Sequence, residues 1–103
     1  MKKIIDGKVY NTKTAIEIAS WHNDFYAGDF KECGETLYQT KKGAYFIHGE
    51  GGAMSKYSES CGNCSTWGSD IIPISKNRVV KWLESTKNYE ILEDLFPEEL
   101  EEA

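Results

Sequence analysis

Short alternations of apolar and polar residues, bounded by turn-forming residues, run through the first half of the chain. Lys3-Ile4-Ile5 and Lys8-Val9-Tyr10 flank the dipeptide Asp6-Gly7. Asp-Gly between two β-prone runs is a strong hairpin signal, because a type I′ turn needs positive φ at both central residues. The pattern therefore predicts a β-hairpin at the start of the chain.

A second hairpin is predicted in the middle of the chain. Thr36–Thr40 and Ala44–His48 are rich in β-branched and aromatic residues, and Lys41-Lys42-Gly43 separates them. A glycine in a three-residue connection suits the turn of a hairpin. The two runs are therefore expected to pair as antiparallel strands.

The spacing of apolar residues further along predicts helices. Ile16 and Ala19, with Ile18 beside them, recur near helical spacing and indicate a short helix from Ala15 to Trp21. Ser75 is a suitable N-cap for a later helix, whose core-facing stripe consists of Val79, Trp82 and Leu83. The pattern extends toward Pro97 through Tyr89, Leu92, Leu95 and Phe96.

The segment between the second hairpin and the later helix is harder to interpret. Gly49–Gly52 are expected to interrupt regular structure, and residues 53–60 fit either a helical turn or a strand. Residues 58–69 are polar and predict a loop that Trp67 anchors to the body. Ile71–Ile74 predict a short strand at the edge of a sheet, because its proline cannot donate a ladder hydrogen bond.

These elements together predict an α+β fold. It consists of a small, mostly antiparallel sheet of two hairpins plus an edge strand, with two helices on one face. Residues 1–97 are expected to form one domain and residues 98–103 an acidic C-terminal tail.

Composition narrows the class of protein. The chain has 103 residues, 40% of them hydrophobic, and its longest apolar run is only Ala44–Ile47. A membrane-spanning helix needs about 20 apolar residues, and the first residues lack the apolar run of a signal peptide. We therefore expect a globular protein of the cytoplasm with no membrane partner.

The net charge of −5 is unevenly distributed. Seven acidic residues and no lysine or arginine follow from Glu90 onward, whereas residues 1–89 hold twelve basic and ten acidic groups. Blocks of like charge are mostly solvated and sometimes form interaction surfaces. Either role is open for this segment.

Three cysteines raise the question of a metal. Cys61 and Cys64 have Cys-x-x-Cys spacing, which suits zinc. A structural zinc site needs four ligands, and only Cys33 with His22 or His48 is left to complete the set. The odd number of cysteines argues against a secreted disulfide scaffold. We therefore predict reduced loop cysteines, with no metal and no cofactor, and zinc at the Cys-x-x-Cys spacing is the alternative.

Two further patterns have chemical interpretations. His48 and Glu50 stand two residues apart among glycines and suggest an acid–base pair, yet no nucleotide-binding or metalloprotease motif accompanies them. Lysines near an aromatic-rich hairpin suggest contact with single-stranded nucleic acid. These are Lys41, Lys42 and Lys56 with Tyr38, Tyr45, Phe46 and Tyr57.

Three stretches resemble a family of short proteins carried by phages and plasmids of Gram-positive bacteria. They are residues 1–12, residues 35–57 with the motif Tyr45-Phe46-Ile47-His48-Gly49-Glu50-Gly51-Gly52-Ala53-Met54-Ser55-Lys56-Tyr57, and residues 67–75. The resemblance implies an anti-CRISPR protein that acts on the RNA-guided nuclease of a type II system. It brings no catalytic residues with it.

The combined prediction is a non-enzymatic inhibitor or modulator from a mobile genetic element. It is expected to bind a CRISPR nuclease or its guide complex in the host cytoplasm, and contact with RNA is part of the hypothesis. The alternatives are a small zinc- or nucleic-acid-binding accessory module and, third, a small enzyme that uses His48 and Glu50. The expected partner-binding residues are Lys41, Lys42, Tyr45, His48, Glu50, Lys56, Tyr57, Glu98 and Glu99.

Overall fold

The computed structural model describes residues 1–23, 25, 29–62 and 64–103, without the side chain of Cys61. In these residues the strands come first and the helices last. The strands are β1 Lys2–Ile5, β2 Lys8–Asn11, β3 Ile16–His22, β4 Cys33–Gln39, β5 Tyr45–Gly51, β6 Glu59–Cys61, β7 Cys64–Thr66 and β8 Gly68–Ile74. The helices are α1 Lys76–Ser85 and α2 Tyr89–Leu95, followed by a 3₁₀ turn at Pro97–Glu99.

The central layer is a four-stranded antiparallel sheet in the order β3-β4-β5-β8. β1 with β2 and β6 with β7 form separate two-stranded hairpins. Both predicted hairpins are confirmed, and β8 is an edge strand as its Pro73 indicated. The α+β class is confirmed, with strands predominating.

Both helices pack on one face of the central sheet. Leu37 and Ile47 from the sheet meet Val79 and Leu83 from α1, and Leu92 and Phe96 complete the same core. Ser75 caps α1 as predicted, because its hydroxyl accepts a hydrogen bond from the Arg78 backbone N–H at 3.4 Å. Each fully buried side chain of this kind contributes roughly 1.5–3 kcal/mol through burial.

The β1–β2 hairpin covers the other face of the sheet. Tyr10 meets Phe46 edge to face with ring centroids 5.6 Å apart, and Tyr38 stacks on Phe46 at 5.2 Å. Ile71 completes this second core. The central sheet is therefore buried on both faces along part of its length.

The predicted first helix is wrong, because residues 16–22 form β3. A register shift between Glu17 and Ala19 marks a β-bulge opposite β4. Ile18 and Ala19 both contact the core shared with the helices, although they are consecutive. A bulge interrupts the alternation of a strand, so the apolar spacing imitated that of a helix.

The middle segment also differs from expectation. β5 continues through Gly51, so Gly49–Gly52 do not interrupt the strand until its end. Residues 53–57 form turns, and the expected loop at 58–69 contains the β6–β7 hairpin. Trp67 is 45% exposed and does not anchor this segment.

The last helical pattern is divided into two helices rather than one. Lys87 has a φ of 62°, which a continuing α-helix does not allow. Leu92 and Phe96 are buried as predicted, whereas Tyr89 and Leu95 are exposed. No helix in the described part of the chain is long and apolar enough to cross a membrane.

Candidate functional site

The β4–β5 turn carries Lys41 and Lys42 in an ordered conformation. The Thr40 backbone N–H donates to the Ala44 carbonyl at 2.8 Å, and the Gly43 N–H donates back to the Thr40 carbonyl at 2.9 Å. The Thr40 hydroxyl also accepts from the Ala44 N–H at 3.1 Å. Gly43 takes a φ of 93°, which its lack of a Cβ permits.

Two adjoining grooves flank this turn and share Tyr10 and Ala44. One groove, of about 580 Å³, separates the turn from the β1–β2 hairpin and includes Lys8, Lys41 and Lys42. The other, of about 640 Å³, runs toward the start of α1 and includes Lys76 and Arg78. No carboxylate occurs among the described residues that line either groove. We call this surface the basic end.

Strand pairing explains why residues distant in sequence meet at the basic end. Tyr45, at the start of β5, pairs with Ile74, at the end of β8. The residues that follow β8 therefore lie beside the β4–β5 turn. Sequence reasoning found Lys41 and Lys42. It missed Lys76 and Arg78 because the β5–β8 register was not predicted, and it missed Lys8 because the packing of the β1–β2 hairpin on the sheet was not predicted.

The aromatic residues near the basic end belong mainly to the core. Tyr10 is buried against Phe46, and Tyr45 packs on the helix-side core with its ring 6.2 Å from that of Phe96. Tyr45 is half-buried, so only part of its ring is open to a partner. Charge, rather than aromatic surface, dominates this end of the molecule.

Glu98 and Glu99 reach the basic end from the C-terminal side. Their carboxylates lie 3.6 and 3.7 Å from the Lys76 ammonium, which also stands 5.5 Å from the Phe96 ring centroid. The structure therefore brings Glu98 and Glu99 close to the groove that Lys76 and Arg78 line, which adjoins the groove of Lys41 and Lys42. All these side chains are substantially exposed, so each ion pair is weak.

His48 and Glu50 lie apart from the basic end. They are two residues apart on β5 and therefore share one face of the sheet. His48 is half-buried and Glu50 is exposed. In the described residues no hydrogen bond or ion pair joins them, so the geometry does not couple them as an acid and a base.

Lys56 and Tyr57 belong to a buried arrangement around Glu35, which we call the Glu35 network. The Glu35 carboxylate accepts from the Tyr57 hydroxyl, from the Trp82 Nε1–H at 3.1 Å and from the Lys56 ammonium at 2.9 Å. Glu35 is 7% exposed and Tyr57 6%. The network ties the 52–57 segment to β4 and α1, and Tyr57 has little surface left for a partner.

The electrostatics of the network favour one protonation state. Burial acts to raise the pKa of Glu35, but the hydrogen bonds from Tyr57, Lys56 and Trp82 outweigh burial and lower that pKa. Burial, and then the hydrogen bond to Glu35, raise the pKa of Tyr57. Glu35 is therefore held as a carboxylate and Tyr57 as a neutral phenol, a stable ionic arrangement.

The glycines of the 49–52 motif make room for this network. A Cβ on Gly49 would lie 1.9 Å from Cζ of Tyr57, and one on Gly51 would lie 2.3 Å from Oγ of Ser55. Gly68 likewise faces the Tyr57 carbonyl. Sequence reasoning missed this role, although glycines alternating along a strand do signal close approach of another segment.

The cysteines are distributed between the sheet and the β6–β7 hairpin. Cys33 is buried at the start of β4, where burial and then the Glu35 charge raise the pKa of its thiol. Cys64 is exposed on β7. The described residues contain no group of three or more His, Cys, Asp or Glu side chains that could hold a metal ion. The side chain of Cys61 and residue 63, which the Cys-x-x-Cys interpretation needs, lie outside the described part.

Comparison of the chain with protein-family models, with curated proteins and with solved structures found no match. The resemblance to phage and plasmid proteins therefore stays a prediction from the sequence.

Proposed function

We propose that the protein is a non-enzymatic inhibitor from a mobile genetic element, which binds a CRISPR nuclease or its guide complex in the host cytoplasm. The observation that carries the proposal is the basic end, where five cations surround two adjoining grooves without a lining carboxylate. The family resemblance supplies the identity of the partner.

The chemistry of the basic end suits a phosphate backbone. Lys8, Lys41 and Lys42 line one groove and Lys76 and Arg78 the other. Cations arranged in this way neutralise phosphates and release their counterions, which favours binding at low salt. A nuclease that carries a guide RNA and opens a DNA duplex exposes such backbones.

The order of the β4–β5 turn supports binding through Lys41 and Lys42. Three hydrogen bonds close the turn before any partner arrives. Binding then costs less conformational entropy than it would for a flexible loop. This rigidity favours the turn as the centre of the contact.

A nucleic-acid-binding accessory module is the second candidate, because the same basic end would bind free RNA. Single-strand binding proteins generally add aromatic platforms on which bases stack. Tyr10 and Tyr45 are engaged in the two cores instead. This arrangement favours contact with a backbone already held in a ribonucleoprotein over capture of a free single strand.

The test measures binding to a purified type II nuclease–guide complex and inhibition of its DNA cleavage. Lys41→Ala/Lys42→Ala should weaken binding and inhibition at least about tenfold, since several phosphate contacts are lost together. The matched control is Lys2→Ala/Lys81→Ala, which removes the same charge from exposed positions outside both grooves. It should change binding less than about twofold.

Free single-stranded RNA, assayed with the same variants, separates the two candidates. Tight RNA binding that depends on Lys41 and Lys42, without inhibition of the nuclease, would favour the accessory module. No binding to either probe would refute both candidates.

A further inference from the structure

A third groove, of about 550 Å³, lies between the end of α1, α2 and the C-terminal segment. Its apolar surface includes Tyr89, Leu92 and Leu100, and its carboxylates are those of Glu84, Glu93, Glu101 and Glu102. We propose that this acidic groove docks a protein segment that carries lysine or arginine residues around an apolar anchor. The proposal is independent of the proposed function, since it concerns a different surface.

In the part of the chain that the structure describes, the carboxylates of the acidic groove form no ion pair with a lysine or arginine. Elsewhere Asp70 pairs with Lys3 at 2.6 Å and Glu35 with Lys56 at 2.9 Å. In the described residues no ion pair involves the four groove glutamates, and no lysine or arginine lines the groove. Their charge is available to an external cation.

The helices add negative potential at the same place. Glu84 lies in the last turn of α1, and Glu93 in the second half of α2, and neither helix has a basic residue in its last turn. The C-terminal end of a helix carries partial negative charge and favours cations. Acidic residues near the C-terminal end of a helix are therefore destabilising, and a bound cationic partner would offset this repulsion.

The apolar part of the groove offers an anchor site beneath the charges. Leu92 is buried at its base, whereas Tyr89 is 54% exposed and Leu100 39% exposed. Apolar surface inside a polar rim is the usual arrangement of an interface in which an anchor residue supplies most of the binding energy. The groove therefore fits a segment that is both basic and apolar.

Charge complementarity selects this occupant over the alternatives. A second copy of the chain in a two-fold interface would bring an identical set of four glutamates against the first. A nucleic acid would bring phosphates. Both alternatives place like charges together, whereas a lysine- or arginine-bearing segment places opposite charges in contact.

The test uses a fluorescently labelled hexapeptide in which four arginines flank a leucine–tryptophan pair, titrated with the full chain. Glu93→Gln/Glu101→Gln/Glu102→Gln should weaken its binding at least about tenfold. Leu100→Ala should weaken it about threefold or more through loss of the anchor site. The control Asp6→Asn/Glu17→Gln/Glu59→Gln removes the same charge from exposed positions outside the groove and should change binding less than about twofold.

Each other outcome contradicts the proposal. Equal weakening by the two triple variants would show attraction to net charge alone. Undiminished binding to Leu100→Ala would show that the apolar surface is unused, and equal binding of a peptide with glutamine in place of arginine would show that charge is unused. Absence of peptide binding would show that the groove does not bind a basic segment. Dimerisation detected by light scattering and abolished by Leu100→Ala would show that a second copy of the chain occupies the groove instead. Circular dichroism melts check that every variant is folded.

Discussion

At Gly49 the backbone of β5 lies directly under the ring of Tyr57. A Cβ at this position would stand 1.9 Å from Cζ, 2.3 Å from Cε2 and 2.3 Å from the hydroxyl oxygen of Tyr57. The Tyr57 ring is buried and its hydroxyl donates to Glu35, so a shift of the ring would disturb the Glu35 network. Even a methyl group at Gly49 would therefore displace the buried, hydrogen-bonded side chain of Tyr57.

Gly49→Ala should destabilise the protein by about 3 kcal/mol, because overpacking is joined by loss of the Tyr57 hydrogen bond. Urea unfolding followed by circular dichroism measures the change. Gly34→Ala is the control, since its Cβ would lie 3.3 Å from the exposed His22 ring and 3.6 Å from the Trp21 carbonyl, an ordinary contact. It should cost less than about 1 kcal/mol. Equal costs for the two variants would contradict the predicted role of Gly49.

The sequence alone did not reveal that Gly49 lies against Tyr57. Gly49 and Gly51 alternate along one face of a strand, which is a recognisable signal, but the side chains above them come from Tyr57 and Ser55 across a turn. Their approach depends on the path of residues 52–57. That path is fixed by contacts with β4 and α1, which local pattern does not specify.

The Glu35 network joins three elements that are distant in the chain. Glu35 lies on β4, Trp82 on α1, and Lys56 and Tyr57 in the segment after β5. Trp82 was predicted to face the core, and it does pack against it while also donating to Glu35. The stability of this junction should depend on the charge of one carboxylate.

Stability should accordingly fall as the pH decreases below 4.5, the ordinary pKa of glutamate. Because the folded pKa of Glu35 is lowered, the unfolded chain takes up its proton first, and the stabilisation is lost as the pH falls through the folded pKa. Urea unfolding of Glu35→Gln from pH 6 to about pH 3 should show a flatter dependence than wild type. An unchanged slope of unfolding free energy against pH would show that Glu35 does not contribute to the pH dependence of stability.

Asp70→Asn is the matched comparison for this measurement. The hydrogen bond from Lys3 lowers the pKa of Asp70 and acts in the same direction. Its contribution begins only below 3.8, the ordinary value for aspartate. The flattening should therefore begin at a lower pH for Asp70→Asn than for Glu35→Gln.

Elements that depend on neighbouring residues were predictable, and those that depend on distant ones were not. The Asp6-Gly7 and Lys41-Lys42-Gly43 turns lie between strands that pair with each other directly. β3 was predicted as a helix because its bulge arises from pairing with β4, more than ten residues away. The basic end likewise required the β5–β8 register.

At the scale of the whole molecule, the two ends of α1 lie at the basic end and at the acidic groove. Lys76 and Arg78 lie in its first turns at the basic end, and Glu84 lies in its last turn at the acidic groove. At 1.5 Å per residue, Lys76 and Glu84 are about 12 Å apart along the helix axis. The two proposals together predict that one molecule contacts phosphates at one end of α1 and a cationic segment at the other.

The C-terminal segment is expected to moderate the basic end. Glu98 and Glu99 lie 3.6 and 3.7 Å from Lys76, so they compete with phosphates for that cation. Glu98→Gln/Glu99→Gln should therefore tighten binding of the polyanionic partner about two- to fivefold at low salt. The gain should shrink as added salt screens these exposed charges. Both effects are measured as binding to the nuclease–guide complex at 50 mM and 200 mM salt. These concentrations span about a twofold change in screening length.

The control Glu101→Gln/Glu102→Gln removes the same charge from the acidic groove and should tighten binding less. Equal gains in affinity from the two double variants would show that only net charge matters, and that Glu98 and Glu99 do not compete with phosphates for Lys76.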